Sequence, residues 1–104
     1  MPKKMHFDLA TPDEIRRVLA DRLRELRLRQ NLGQAELAAA AGVSRGTVQN
    51  LESSAQCSLD SLVRICSALG AVSDLEPLFH REPISIAAME RASQPLRKRA
   101  RTRS

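Results

Sequence analysis

The sequence predicts an all-α protein: one compact domain of five short helices at residues 11–79, between flexible extensions at 1–10 and 80–104. Three observations predict it. Apolar residues recur at helical spacing in successive segments bounded by capping residues and glycines. Two of these segments, 34–41 and 45–53, are joined by a turn centred on Gly42. The aromatic content is 2%, with two Phe and no Trp or Tyr, so the core must be built from Leu, Val, Ile and Ala, which suits tightly packed short helices. At 104 residues a second independent core would need more chain.

The first helix starts at Thr11-Pro-Asp-Glu14. Thr11 can cap, Pro12 suits the first helical position and Glu14 completes a capping box. The helix should run to about Gln30, with Ile15, Val18, Leu19, Leu23, Leu26 and Leu28 as its apolar stripe. Asn31-Leu-Gly33 ends it and leads into the second helix. Counting from Gln34, Leu37, Ala41, Val43, Val48 and Leu51 occupy the fourth, eighth, tenth, fifteenth and eighteenth places. Those are the inward positions of a helix-turn-helix unit, in which each helix offers one apolar stripe to a shared core. Ala38 falls where two helices cross closely. Gly42 falls where the chain leaves the first of them and a positive φ is favoured. Ser44 is a natural N-cap for the next helix, starting at Arg45. A polar loop, 53–58, follows. Ser58 caps a fourth helix over 59–69 carrying Leu59, Leu62, Val63, Ile65, Cys66 and Leu69, and Gly70 stops it. A short fifth helix over 73–79 carries Leu75, Leu78 and Phe79.

Before Thr11, Met5-His-Phe-Asp-Leu9 alternates apolar and polar residues, consistent with a short strand or an extended arm. Beyond Phe79, Pro83 opens a stretch in which Ile84, Ile86, Ala87, Met89 and Ala92 suit a brief helix or a partner-binding segment. The chain then ends in Arg97-Lys-Arg-Ala-Arg-Thr-Arg103, five cations with no apolar residue large enough to bury, expected to be disordered alone.

The run Gln34-Ala-Glu-Leu-Ala38, Ala41-Gly-Val-Ser44 and Thr47-Val-Gln-Asn-Leu-Glu52 resembles the phage-repressor and Cro type of helix-turn-helix protein, the xenobiotic-response-element family. The resemblance extends over about Ile15 to Phe79 and implies a repressor-like fold that binds double-stranded DNA. In that family the second helix of the motif enters the major groove, where each base pair presents a distinct donor and acceptor pattern. By position this implies DNA contacts at Gln34, Ser44, Arg45, Gly46, Thr47, Gln49, Asn50 and Ser53. Arg45 has the fork to grip guanine O6 and N7, Gln49 suits adenine, and Thr47 suits a phosphate or a thymine methyl. Asn50 sits at the margin, and Gly46 lacks a contact common in relatives. Gln34 is implied as a phosphate contact that braces the reading helix without reading sequence. Arg27 and Glu52 match a partly buried ion pair of several relatives, a free surface arginine being the competing reading. Relatives often turn on a glycine after the third helix; this chain has none there.

Charge is unevenly placed. Residues 1–79 hold ten basic and ten acidic residues, and residues 80–104 hold seven basic and two acidic, so the whole net charge of +5 lies in the C-terminal extension. Arg97, Lys98, Arg99, Arg101 and Arg103 are therefore candidates for accessory DNA or partner contact through counterion release, with a solvated end as the alternative. Cys57 and Cys66 are too few for a structural zinc site, and the expectation is two reduced thiols, one in a loop and one in a helix. No apolar run is long enough to span a membrane, and the N-terminus lacks the apolar stretch of a secretion signal. A cytoplasmic, nucleoid-associated location is expected. His6 and His80 lie in the extensions, with no nucleophile–base arrangement or phosphate-cradling glycine loop, so no catalytic residue, cofactor or metal is expected and an enzyme is disfavoured.

The family resemblance implies a transcriptional repressor acting as a homodimer on a palindromic operator, with half-sites about one DNA turn apart. Leu75, Leu78 and Phe79 exceed what a four-helix core needs and are expected at the dimer interface. A narrower reading is the autoregulating, HipB-like antitoxin of a toxin–antitoxin operon, with a kinase-type toxin as partner. The rival from another class is a protein-interaction adaptor that uses the bundle and the basic tail without reading DNA.

Overall fold

In the computed structural model, which describes residues 6–81, four α-helices follow in order: α1 (Pro12–Arg29), α2 (Gln34–Ala41), α3 (Arg45–Ser54) and α4 (Leu59–Ala68). No strand occurs among the described residues. Each boundary has a local cause. Thr11 Oγ1 accepts from the Glu14 amide at 3.1 Å while Glu14 Oε1 accepts from the Thr11 amide at 2.9 Å, the reciprocal capping box. Gly33 has no side chain to offer, so α2 begins with half of that arrangement, the Gly33 amide donating to Glu36 Oε1 at 2.7 Å. Ser44 and Ser58 cap α3 and α4 by accepting from the amides of Thr47 and Ser61, each at 3.0 Å. Gly42 takes the left-handed conformation, φ +71°, that lets the chain turn sharply out of α2.

The core lies where α2 packs on α3 and α4 and α1 packs on α3. Leu37, Val48 and Ile65 are its fully buried large side chains, each contributing about 1.5–3 kcal/mol by leaving water. Leu51 and Leu69 join it, with Ala20, Ala38, Ala41 and Ala55, whose small size lets the helices approach closely. Both phenylalanines stay outside: Phe79 is 92% exposed, and Phe7 stacks near the Arg22 guanidinium, 5.7 Å from ring centre to Cζ.

Several expectations need correction. The chain after Gly70 forms a 3-10 turn, Val72–Leu75, followed by further turns to Phe79, and not a fifth α-helix. Pro77 lacks the amide a continuing helix would use, and Phe79 adopts φ +63°, which breaks helical geometry. Phe7–Leu9 is a 3-10 turn instead of a strand or extended arm. The α1 stripe is narrower than expected: Ile15, Val18, Leu23 and Leu26 turn inward, with Leu23 and Leu26 packed against the core, but Leu19 and Leu28 are exposed and the buried residues of α1 are Ala20 and Arg27. Likewise Leu59 and Val63 of α4 face solvent, while Ile65, Cys66 and Leu69 are buried. The loop lacking a glycine is solved by Ala55, which itself takes the left-handed conformation at φ +56° and ends α3 at Ser54.

Cys66 is buried and Cys57 exposed, both as free thiols. No helix among the described residues is long and apolar enough to cross a membrane. Ile84, Ile86, Met89 and the basic run Arg97, Lys98, Arg99, Arg101 and Arg103 lie outside the described residues, as does the start of the N-terminal arm, 1–5.

Candidate nucleic-acid interface

α3 has two unlike sides. Val48 and Leu51 turn inward and are buried, whereas Arg45, Gly46, Gln49, Asn50 and Ser53 are exposed along the opposite side. With 3.6 residues per turn these five share a broad outward arc of the helix. Arg45, Gln49 and Asn50 make no side-chain hydrogen bond among the described residues, so their donors and acceptors face water. Gly46 adds a gap: a Cβ built there would meet only Ser44 Oγ, at 3.7 Å. Packing therefore does not demand glycine at this place, and its absent side chain leaves the helix backbone open to close approach.

The inner rim of this surface is held by a buried charge network. The Arg27 guanidinium donates to both carboxylate oxygens of Glu52, Nε to Oε2 at 2.7 Å and Nη2 to Oε1 at 2.9 Å. A third donor, Nη1, caps the Leu32 carbonyl at 2.7 Å. Gln34 Nε2 donates to Glu52 Oε1 at 2.9 Å. The two charged side chains are only 8% and 6% exposed. Burial alone would raise the Glu52 carboxyl, but hydrogen bonds from Arg27 and Gln34, and the charges of Arg27 and Arg24, outweigh it and hold the group below its ordinary range. Its hydrogen bond to Glu52 raises Arg27 in turn, so the pair stays charged. The network ties α1, the start of α2 and the last turns of α3 together, fixing the angle at which the exposed side of α3 is presented.

Four of the expected contact residues come together around one open concavity of about 550 Å³, lined by Gln34, Gln49, Asn50 and Ser53 with Arg24 and Glu52. Arg45 and Gly46 sit at the other end of α3, beyond this hollow. Ser44 and Thr47 are engaged with each other: Ser44 Oγ lies 2.9 Å from Thr47 Oγ1 and also accepts from the Thr47 amide. The Ser53 hydroxyl donates back along its own helix to the Gln49 carbonyl at 2.8 Å. Its proton is thus taken, and the Ser54 hydroxyl stands 3.3 Å away as a donor to it. Gln34, expected as a phosphate contact, gives one of its two amide protons to Glu52. Asn50, expected at the margin, lines the hollow together with Gln49.

Arg24 was not anticipated. It lies three residues before Arg27, one helical turn back on the same face of α1, so the signal was present once Arg27 had been matched to Glu52. Among the described residues no cluster of three or more His, Cys, Asp or Glu could hold a metal ion.

Residues 18–79 match the family of the helix-turn-helix domain. No curated protein matches the chain. The matched span covers all of α2, α3 and α4 and most of α1, more than half the sequence, and such domains point to DNA binding and the regulation of transcription. The chain belongs to the helix-turn-helix domain family.

Proposed function

We propose that this protein is a sequence-specific, DNA-binding transcriptional repressor that acts as a homodimer on a palindromic operator. The observation that carries the reading is the side of α3 bearing Arg45, Gly46, Gln49 and Asn50: exposed, polar, without protein partners and held rigidly from behind by the Arg27–Glu52–Gln34 network. A surface of that kind suits base edges in a major groove. Arg45 carries the bidentate fork that matches guanine, and Gln49 and Asn50 each carry the amide that matches adenine. Ser44 and Thr47 stiffen the first turn of α3, which leads into the groove.

Dimerisation is supported by the exposed apolar side chains of Leu78 and Phe79, with Leu75 half-buried beside them. A single motif covers few base pairs, whereas a twofold pair doubles the contact. The narrower role of an operon-autoregulating antitoxin would use the same DNA-reading side together with a kinase-type toxin seated on residues 80–104. An adaptor that ignores DNA would leave the outward polar arc of α3 without a purpose, and so ranks below. The regulator would act in the cytoplasm, on the nucleoid. Selection of bound duplexes from a randomised pool tests the reading: a repressor enriches a palindromic consensus, and an adaptor enriches nothing. Sedimentation at micromolar concentration, with and without the selected duplex, checks the dimer; a monomer in both conditions removes it.

A further inference from the structure

Two arginines, Arg24 and Arg27, flank one carboxylate, Glu52, so this corner of the molecule holds one cation in excess. The carboxylate is already saturated. Its Oε2 takes Arg27 Nε at 2.7 Å, and its Oε1 takes both Arg27 Nη2 and Gln34 Nε2 at 2.9 Å. Arg24 Nε stands 3.9 Å from Oε1, too far for a hydrogen bond, and its side chain is 56% exposed. Its charge is drawn toward the network without being consumed by it. The side chain lies on the wall of the open hollow whose other walls are Gln34, Gln49 and Asn50. These three bring neutral amide donors, and Gln34 retains one amide proton not given to Glu52. Glu52 also lines the hollow, but Arg27 already neutralises it, which removes most of its repulsion toward an anion. A surplus guanidinium among amide donors, at the edge of an open concavity, is the composition that suits a phosphodiester group.

We propose that Arg24 grips a backbone phosphate of the bound duplex next to the segment read by α3, beside the phosphate contact that the family resemblance implies for Gln34. The inference rests on the DNA-binding reading above and deepens it. Because the hollow borders the later turns of α3 and not the end bearing Arg45, this contact sets register and carries no sequence information.

The test measures binding of the full-length protein to a random-sequence DNA duplex at salt concentrations between about 50 and 200 mM. Wild type is compared with Arg24→Gln and Arg24→Lys, alongside thermal melting of each. Loss of one phosphate contact flattens the log–log salt slope by about 0.9, so the fourfold rise in salt should cost Arg24→Gln roughly 3.5-fold less affinity than it costs wild type. Arg24→Lys should keep the wild-type slope, and all three should melt together. Parallel salt lines for wild type and Arg24→Gln overturn the inference alone. So does a melting temperature lowered in Arg24→Gln with its slope unchanged, since Arg24 would then be only a brace for Glu52. A wild type with no salt-dependent duplex binding overturns the DNA-binding reading and this inference with it.

Discussion

The inner and outer sides of α3 follow opposite rules. On the inner side the polar atoms of Arg27, Glu52 and Gln34 are matched to partners at 2.7–2.9 Å, and Val48 and Leu51 are packed away from water. On the outer side Arg45, Gln49 and Asn50 leave their donors and acceptors to solvent, and Gly46 contributes no side chain at all. Internal satisfaction on one side makes a rigid support, and its absence on the other makes an adaptable contact surface. Substitutions on the inner side should therefore register in stability and those on the outer side in binding, and each departure from that division would redraw it.

The largest effect should come from breaking the network. Glu52→Gln leaves the buried Arg27 guanidinium without its counter-ion, and removing one partner of such a pair costs about 3–5 kcal/mol. Denaturant unfolding reads this directly; a loss under about 1 kcal/mol would mean that water reaches the pair and compensates it. The same carboxylate predicts an acid response. Its folded-state pKa is depressed, so its contribution is fully present above the ordinary glutamate value of about 4.3 and is lost as pH falls through the lower folded value. Wild type should lose stability more steeply than Glu52→Gln below that pH, and equal slopes would contradict the charged, paired state.

A smaller effect is expected where α2 turns into α3. Gly42 sits at φ +71°, and a Cβ there meets only Arg64 Nη1 at an ordinary 3.5 Å. The cost of Gly42→Ala is thus backbone strain without a clash, about 1–2 kcal/mol. A neutral result would show that the turn relaxes into another conformation. The smallest effect has the opposite sign. Gly46 occupies a helix with open space over it, so Gly46→Ala should stabilise the fold by about 0.5–1 kcal/mol. If that methyl also weakens DNA binding, the glycine serves close backbone approach; unchanged binding would leave it without a role in contact.

Much of this was legible in the residues. The caps at Thr11, Ser44 and Ser58 and the turn glycine Gly42 are local chemistry, decided within four residues, and the structure has each where its side chain or backbone dictates. Periodicity was a poorer guide at the rim of the bundle. Leu19, Leu28, Leu59 and Val63 fit a helical stripe but lie outside the contact area, because each helix buries only a narrow strip, and Ala20, Ala38 and Ala41 fill much of it beside Leu37 and Leu51. The turn at Ala55 carried no signal, since an alanine in left-handed conformation follows from the packing around it. At the candidate interface the exposed positions of α3 could be read from spacing. Gln34's commitment to Glu52 depends on how α2 meets α3, and the approach of Arg24 on how α1 crosses α3; one-dimensional spacing contains neither packing.

The central claim is that the outer side of α3 reads base sequence. The direct measurement is the affinity of wild type and Arg45→Ala for a duplex carrying the selected consensus and for a random-sequence duplex, at one fixed salt concentration. Loss of a bidentate base contact should cost about 1–3 kcal/mol on the consensus, a weakening of roughly 5- to 150-fold, with a much smaller loss on random DNA. Equal losses on the two duplexes, or no loss on either, would contradict it.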